Sequence, residues 1–564
     1  MTDQSTRSAD SPERGPADGT PRTPSGIPGL DNLLGGGLPE GRATLVTGTA
    51  GSGKTLAAIH FAIDGAAQAG CGAVYVSFEE PANQLRRTMA SLGRDAEQLE
   101  ADGKLAVLDA APVPTPEEIA TGQDSSRTSP SGHDSPSGHD SPSGHDAGGD
   151  GSAEVLGDGF DFSGLLARID AAVERTGARR VALDSLAGLA GLFLFADSSR
   201  RDPHAALRAP LARLINSLKA RGLTLLVAAE RDREGGPLTR YGLEEFVADG
   251  VLVLRVNEFG ERRRRTIEIK KLRSCAHADG ESPVVIRPGI GMHVLPLSQI
   301  NLTQQSGIER TTSGVEELDR MTGGGFLRDS VVLVSGATGT GKTLLCTHFA
   351  AGGIAEGGNT LFLAFEESRE QLLRNARAFG IDLPRAERDG RMTLKCVYPE
   401  SMSLEAHLLR IQTHIEQLKP NRMIMDSLSA LERIGPPFAF RQFIIALAAY
   451  VKRMRVTTLL TAGGGSFGDE VQISEQHIST INDTIILLRY VDTQGRVERG
   501  LTLLKMRGSG HAREHRRYRI GPEGIVLAGP KGDAVRNVAG ERIEGQAQPE
   551  HPDRPNGTPP PDSA

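Results

Sequence analysis

A glycine-rich phosphate-binding pattern, G-x-x-x-x-G-K-[ST], occurs twice in this 564-residue chain. The first copy is Gly48-Thr49-Ala50-Gly51-Ser52-Gly53-Lys54-Thr55, the second Gly336-Ala337-Thr338-Gly339-Thr340-Gly341-Lys342-Thr343. The pattern restricts the fold because it works where a strand feeds a tight loop that opens a helix. An apolar run precedes each loop (Ala43 to Val46; Val331 to Val334), and helix-forming residues follow each Lys-Thr pair. In that setting the glycines turn successive N–H groups toward an anion, and the helix N-terminus adds partial positive charge. Lys54 or Lys342 reaches the β and γ phosphates of ATP, and Thr55 or Thr343 offers a hydroxyl to Mg²⁺. A single copy could be an ordinary glycine-rich turn; two in the same context are poorly explained that way.

At ~150 residues per domain the length allows two to four domains, and the duplicated loop favours two large ones. Basic residues number 64 and acidic residues 71, a net charge of −7. No global positive field therefore advertises nucleic acid or an anionic membrane. Cys71, Cys275, Cys346 and Cys396 show neither C-x-x-C pairing nor zinc spacing, which suits free thiols in a reducing compartment. No apolar run approaches the ~18 residues of a membrane span, and the N-terminus lacks an apolar signal core. The expected location is cytoplasmic, without a membrane partner.

The halves align block by block: SGIPGLDNLLGGGLPEG with TSGVEELDRMTGGGFLRD, the loops, VYVSFEE with LFLAFEE, VALDSLAGL with MIMDSLSAL, and KLRSCAH with KMRGSGH. Ordered blocks of this kind mean duplication. Glu80 to Asp184 spans 104 positions whereas Glu367 to Asp426 spans 59, so the first half carries an insert. The insert, about 112–154, contains three copies of Ser-Pro-Ser-Gly-His-Asp, from Ser129, Ser135 and Ser141. Its His133, Asp134, His139, Asp140, His145 and Asp146 are metal-ligand types, but a Gly, Ser and Pro background resists ordering and suits a solvated loop. The expected organisation is a disordered tail over 1–23, ATPase domains over 24–300 and 301–528, and a second tail over 529–564. Alternating apolar strands and amphipathic helices in each half, including a helix over Gln84 to Leu92 and one ending at Ala178, predict two tandem α/β domains. Each is a mainly parallel twisted sheet with helices on both faces, binding ligand beyond the carboxyl ends of its strands.

Asp184 and Asp426 end apolar strands, where a nucleotide site needs an acid for its Mg²⁺ shell. The pairs Glu79-Glu80 and Glu366-Glu367 also end strands, placed to orient a water or hydroxyl for in-line attack, the first of each pair being the expected base. Such pairs could equally be solvated edges. Lys271 and Arg273, like Lys505 and Arg507, share a strand face and could reach a neighbouring subunit's phosphates, the arginine-finger arrangement. His277 and His511 follow at matched offsets, where a structural hydrogen bond is as good an account as catalysis. The run Arg262 to Arg265 reads as a solvated hairpin turn rather than a nucleic-acid contact.

The ordered blocks, together with DSLSALERIGPPFAFRQF from Asp426, QHISTINDTIILLRYV from Gln476 and LLKMRGSGH from Leu503, resemble the KaiC-like family of RecA-type ATPases over roughly 24–528, apart from the insert. The resemblance implies a hexameric double ring with ATP between subunits, slow hydrolysis in the first domain and autophosphorylation in the second, with signalling or clock-type protein partners. It places the modified pair on Ser479 and Thr480. On its own a Ser-Thr before an apolar run is as readily a strand start. The matching first-half segment has Glu244-Glu245-Phe246 and no hydroxyl pair, which confines phosphoryl acceptance to the second half. Ser474 stands where the cyanobacterial proteins carry Thr, and the tail after Pro530 only faintly resembles the family's regulatory tail.

Three functions are therefore weighed: a Mg·ATP-dependent ATPase with Ser/Thr autokinase activity, a nucleotide-gated interaction hub without kinase activity, and a RecA-type DNA-repair ATPase. The acidic balance, the absence of an N-terminal four-cysteine zinc element and the lack of interleaved aromatic and basic residues argue against the third.

Overall fold

The computed structural model describes residues 19–110, 162–189, 203–239, 248–259, 262–296, 307–463, 481–493, 496–512, 514–528 and 536–537. Residues 1–18 and most of 529–564 of the expected tails, the repeat insert, Glu244 to Phe246, Ser474, Ser479 and Thr480 lie outside the described residues; within the expected tails Arg22–Thr23 instead pairs as a strand with Leu38–Pro39, and Arg536–Asn537 with Val491 and Asp492. The chain divides into two compact units, residues 1–299 and 300–564.

In the first unit the principal elements are β1 (Ala43–Gly48), α1 (Lys54–Ala62), β2 (Gly72–Ser77), α2 (Ala82–Ser91), β3 (Leu105–Asp109), α3 (Phe162–Thr176), β4 (Ala178–Asp184), α4 (Pro203–Ala220), β5 (Thr224–Glu230), β6 (Gly250–Phe259), β7 (Arg262–Leu272), β8 (Glu281–Arg287) and β9 (Gly291–Val294). The sheet order is β9-β8-β7-β6-β1-β5-β4-β2-β3. Strands from β3 across to β6 are parallel, and β6 to β9 extend the sheet as antiparallel hairpins.

The second unit repeats this arrangement with β10 (Val331–Gly336), α5 (Lys342–Ala355), β11 (Thr360–Ala364), α6 (Arg369–Ala378), β12 (Met392–Cys396), α7 (Leu404–Leu418), β13 (Arg422–Asp426), α8 (Pro437–Arg453), β14 (Thr457–Gly463), β15 (Thr484–Thr493), β16 (Arg496–Met506), β17 (Arg516–Gly521) and β18 (Gly524–Leu527). Its main path, β18-β17-β16-β15-β10-β14-β13-β11-β12, follows the order of the first unit, and the short strand Arg536–Asn537 adds a tenth member beside β15.

Strand alternation sends neighbouring side chains to opposite faces, and both faces are covered. Val46 and Tyr75 join the core under α1, with Ile59 and Phe61. Leu45, Val74 and Val76 join the core under α3 and α4, with Ile169 and Leu214. The mainly parallel sheet with helices on both faces is as expected, but two local expectations are corrected. The helix expected to end at Ala178 stops at Thr176, and Ala178 already belongs to β4. Gly177, at φ +61°, makes the break, a left-handed conformation that glycine adopts without a side-chain clash. The helix over Gln84 to Leu92 begins two residues earlier, at Ala82 behind Pro81.

A buried arginine stands in the first half of the strand carrying each aspartate. Arg422 donates through Nη1 to Thr312 O (2.8 Å) and Phe349 O (2.7 Å), and through Nη2 to Glu356 (2.6 Å). Arg180 makes the same two carbonyl contacts, to Pro24 O and Phe61 O, both at 2.9 Å. Each arginine ties the segment before the loop strand to a carbonyl of the loop helix.

Candidate nucleotide site

In both units the loop strand lies mid-sheet, so the glycine-rich loop emerges beside the carboxyl ends of its neighbours. Lys54 Nζ folds back onto Gly48 O (3.0 Å) and Thr49 O (3.1 Å), and Lys342 Nζ onto Gly336 O (2.7 Å) and Ala337 O (3.1 Å). The lysine thus spans the loop and braces it. Gly53 and Gly341 cap their helices at φ 107° and 97°, and neither helix start receives a side-chain cap. The first N–H groups of α1 and α5 are left to another acceptor, which fits a phosphate. Gly51, at φ +73°, has no atom within 4 Å of where a Cβ would stand, so the loop crest faces open space.

Asp184 and Asp426 close the strands β4 and β13, and both are buried. Thr343 Oγ1 donates to Asp426 Oδ2 at 2.7 Å, and Thr461 Oγ1 to Asp426 Oδ1. Asp184 accepts from Tyr75 OH at 2.6 Å and from Thr55. Burial raises both carboxyls above the ordinary range, helped by Glu79 and Glu80 beside Asp184 and by Glu366 beside Asp426, against these hydroxyl donors. The lysines shift the other way: burial lowers Lys54 and Lys342, against the pull of the surrounding acids.

The serine after each aspartate draws in the first glutamate of the acidic pair. Ser427 Oγ donates to Glu366 Oε1 at 2.6 Å, and Ser185 Oγ to Glu79 Oε1. Both Asp-Ser peptide bonds are cis. The second glutamate is handled differently: Glu367 accepts from Asn375 Nδ2 (3.3 Å), while the Glu80 backbone bonds Ser77 Oγ. Burial raises Glu367, with Asp426 and Glu366 adding repulsion. The first glutamate of each pair, the expected base, is thus the one held by the serine that follows the strand-end aspartate, a contact between residues 106 and 61 positions apart.

The expected cations sit at the far ends of β7 and β16. Lys271 Nζ donates to Ala248 O (3.0 Å) and Lys505 Nζ to Asn482 O (2.8 Å), and Arg273 and Arg507 are exposed. His277 Nδ1 lies 3.2 Å from Ala278 O. The arginine run behaves otherwise than a plain solvated turn. Its residues belong to β7, Arg263 pairs with Glu258, and Arg265 Nε donates to Gly51 O at 3.2 Å. Arg499 does the same for Gly339 O at 3.2 Å in the second unit. These two arginines reach their own phosphate loops, a contact that depends on hairpin register and so left no sequence signal.

Among the described residues no group of three or more His, Cys, Asp or Glu is placed to hold a metal alone. That composition fits Mg²⁺, which keeps waters and takes substrate phosphates for most of its positions. Thr55 with Asp184, and Thr343 with Asp426, would supply the protein's share.

Two sheets of this strand order, each sending a glycine-rich loop from a mid-sheet strand into a helix, define tandem RecA-like phosphate-loop domains. A family model described as the KaiC ATPase matches residues 23–131, 144–299 and 311–532. The chain belongs to the KaiC family. It is 43% identical over 523 residues to the circadian clock protein KaiC3 of Synechocystis sp., covering 93% of this chain and 94% of that protein. It is 41% identical over 517 residues to the circadian clock oscillator protein KaiC of Synechococcus elongatus, covering 92% and 90%. Among the described residues no helix is long and apolar enough to cross a membrane.

Proposed function

We propose that this KaiC-family ATPase hydrolyses Mg·ATP in both domains, 24–300 and 301–528, and that the second domain phosphorylates Ser479 and Thr480. One observation carries the hydrolytic reading: in each unit a loop lysine, a buried strand-end aspartate and a serine-held glutamate stand at the carboxyl edge of one sheet, the last two on neighbouring strands. When bound, Mg²⁺ neutralises developing phosphate charge. Glu79 or Glu366 takes a proton from the attacking oxygen, which bonds to the γ-phosphorus as the bond to the ADP oxygen breaks. In the first site the attacking oxygen is water's; in the second it is also the hydroxyl of Ser479 or Thr480. Lys271, Arg273, Lys505 and Arg507 serve the site of an adjacent subunit in a homohexamer. The relatives' names, clock proteins both, favour a timing or signalling role with protein partners.

Mass spectrometry after incubation with Mg·ATP tests this directly. Phosphate is expected on Ser479 or Thr480 and is expected to vanish in Glu366→Gln with ATP binding retained. Turnover without any phosphopeptide would instead leave a nucleotide-gated hub.

A further inference from the structure

The two units hold their strand-end aspartates with hydroxyls that arrive from opposite sides. Sheet register makes the comparison residue by residue. On one side of the loop strand, Val46 pairs with Ala228 of β5 and Val334 with Thr461 of β14, each two residues before the first loop glycine. On the other side of the aspartate, Ser77 pairs with Asp184 and Ala364 with Asp426. Two residues before these stand Tyr75 in β2 and Phe362 in β11. The first unit thus combines Tyr75 with Ala228, and the second Phe362 with Thr461. Each combination carries one hydroxyl, and in each that hydroxyl donates to the aspartate: Tyr75 OH to Asp184 Oδ2 at 2.6 Å, Thr461 Oγ1 to Asp426 Oδ1.

Tyr75 is fully buried, at 0% exposure, in the core beneath α1. A phenol in such a place needs an acceptor, and Asp184 is the one it has. We propose that Tyr75 is a positioning residue of the first ATPase site, holding Asp184 from the β2 side as Thr461 holds Asp426 from the β14 side. The proposal rests on the reading of Asp184 as part of the Mg·ATP site. An outer hydroxyl of this kind fixes the orientation of an acid that shares in holding a metal.

The test uses the full chain with Lys342→Ala, so that hydrolysis reports the first site. Tyr75→Phe is expected to raise the Mg²⁺ concentration for half-maximal hydrolysis about tenfold. Tyr75→Phe with Ala228→Thr is expected to return it to within about twofold, a rescue that loss of packing would not give. The reciprocal pair, Thr461→Ala and Thr461→Ala with Phe362→Tyr, is read in Lys54→Ala and decides the matter should Tyr75→Phe misfold. An unchanged Mg²⁺ dependence in the single variants, or no rescue in the double ones, overturns the proposal. Asp184→Asn separates the two readings. If that variant still hydrolyses at the full rate, the metal-shell assignment itself has failed; if it is inactive while Tyr75→Phe is normal, the positioning role alone has failed.

Discussion

Asp426 is buried, bonded to two threonine hydroxyls and crowded by Glu366, and burial outweighs these hydroxyls and the pull of Lys342, so its negative charge is held away from water at a cost. Removing that charge should therefore help the nucleotide-free protein while harming the loaded one. Asp426→Asn is expected to raise the melting temperature of the second unit by roughly 2 °C without ligand, and to abolish the further rise that Mg·ATP gives wild type; differential scanning calorimetry checks both. Asp249 behaves in the opposite sense. Burial alone would lift its carboxyl, but Lys219 at 2.6 Å and the Ala43 N–H at 3.2 Å overcome burial and hold it below the ordinary range. A folded value below the unfolded one, about 3.9, stabilises the fold above that pH, and the gain is lost as pH falls through the folded value. Asp249→Asn should consequently cost about 2 kcal/mol at pH 7 and progressively less as the pH falls through the folded value, as urea melts over a descending pH series would report.

At the scale of elements, Arg422 at the head of β13 fastens Thr312 and Phe349 together through their carbonyls and lies 4.5 Å over the Phe349 ring. Arg422→Met would strip the guanidinium from both carbonyls and from Glu356. A loss of about 3 kcal/mol is expected for the second unit, with Arg422→Lys recovering only part because an ammonium lacks the guanidinium fork; guanidinium melts measure it. The loop strands, the strand-end acids and the duplication were legible in the sequence because each is written in local residues: glycines at fixed spacing, apolar runs, adjacent acids. What escaped it depends on which strands become neighbours. Nothing around Tyr75 announces that its hydroxyl meets Asp184, 109 positions away, and Arg265 became a loop contact only through hairpin pairing with β6. Gly177 could have been read as a helix stop, since glycine after a helical stretch is its commonest terminator.

For the whole molecule, each unit has its own sheet and its own buried core, so calorimetry should resolve two transitions rather than one. A non-hydrolysable ATP analogue with Mg²⁺ at a hundredfold excess over its dissociation constant should stabilise each by about 2.7 kcal/mol. Lys54→Ala is expected to cancel the shift of one transition and Lys342→Ala that of the other, which assigns them. The exchanged positions of Tyr75 and Thr461 also bear on ancestry and engineering. Starting from a common duplicated parent, a stepwise exchange passes through a stage in which either neither or both of these neighbouring strands offer the aspartate a hydroxyl beside that of the loop threonine, which would couple changes in β2 to changes in β5. The same bookkeeping constrains chimeras: a hybrid that transplants β2 from one half into the other without its β5 inherits one of those intermediate stages, and the two strands have to be moved together.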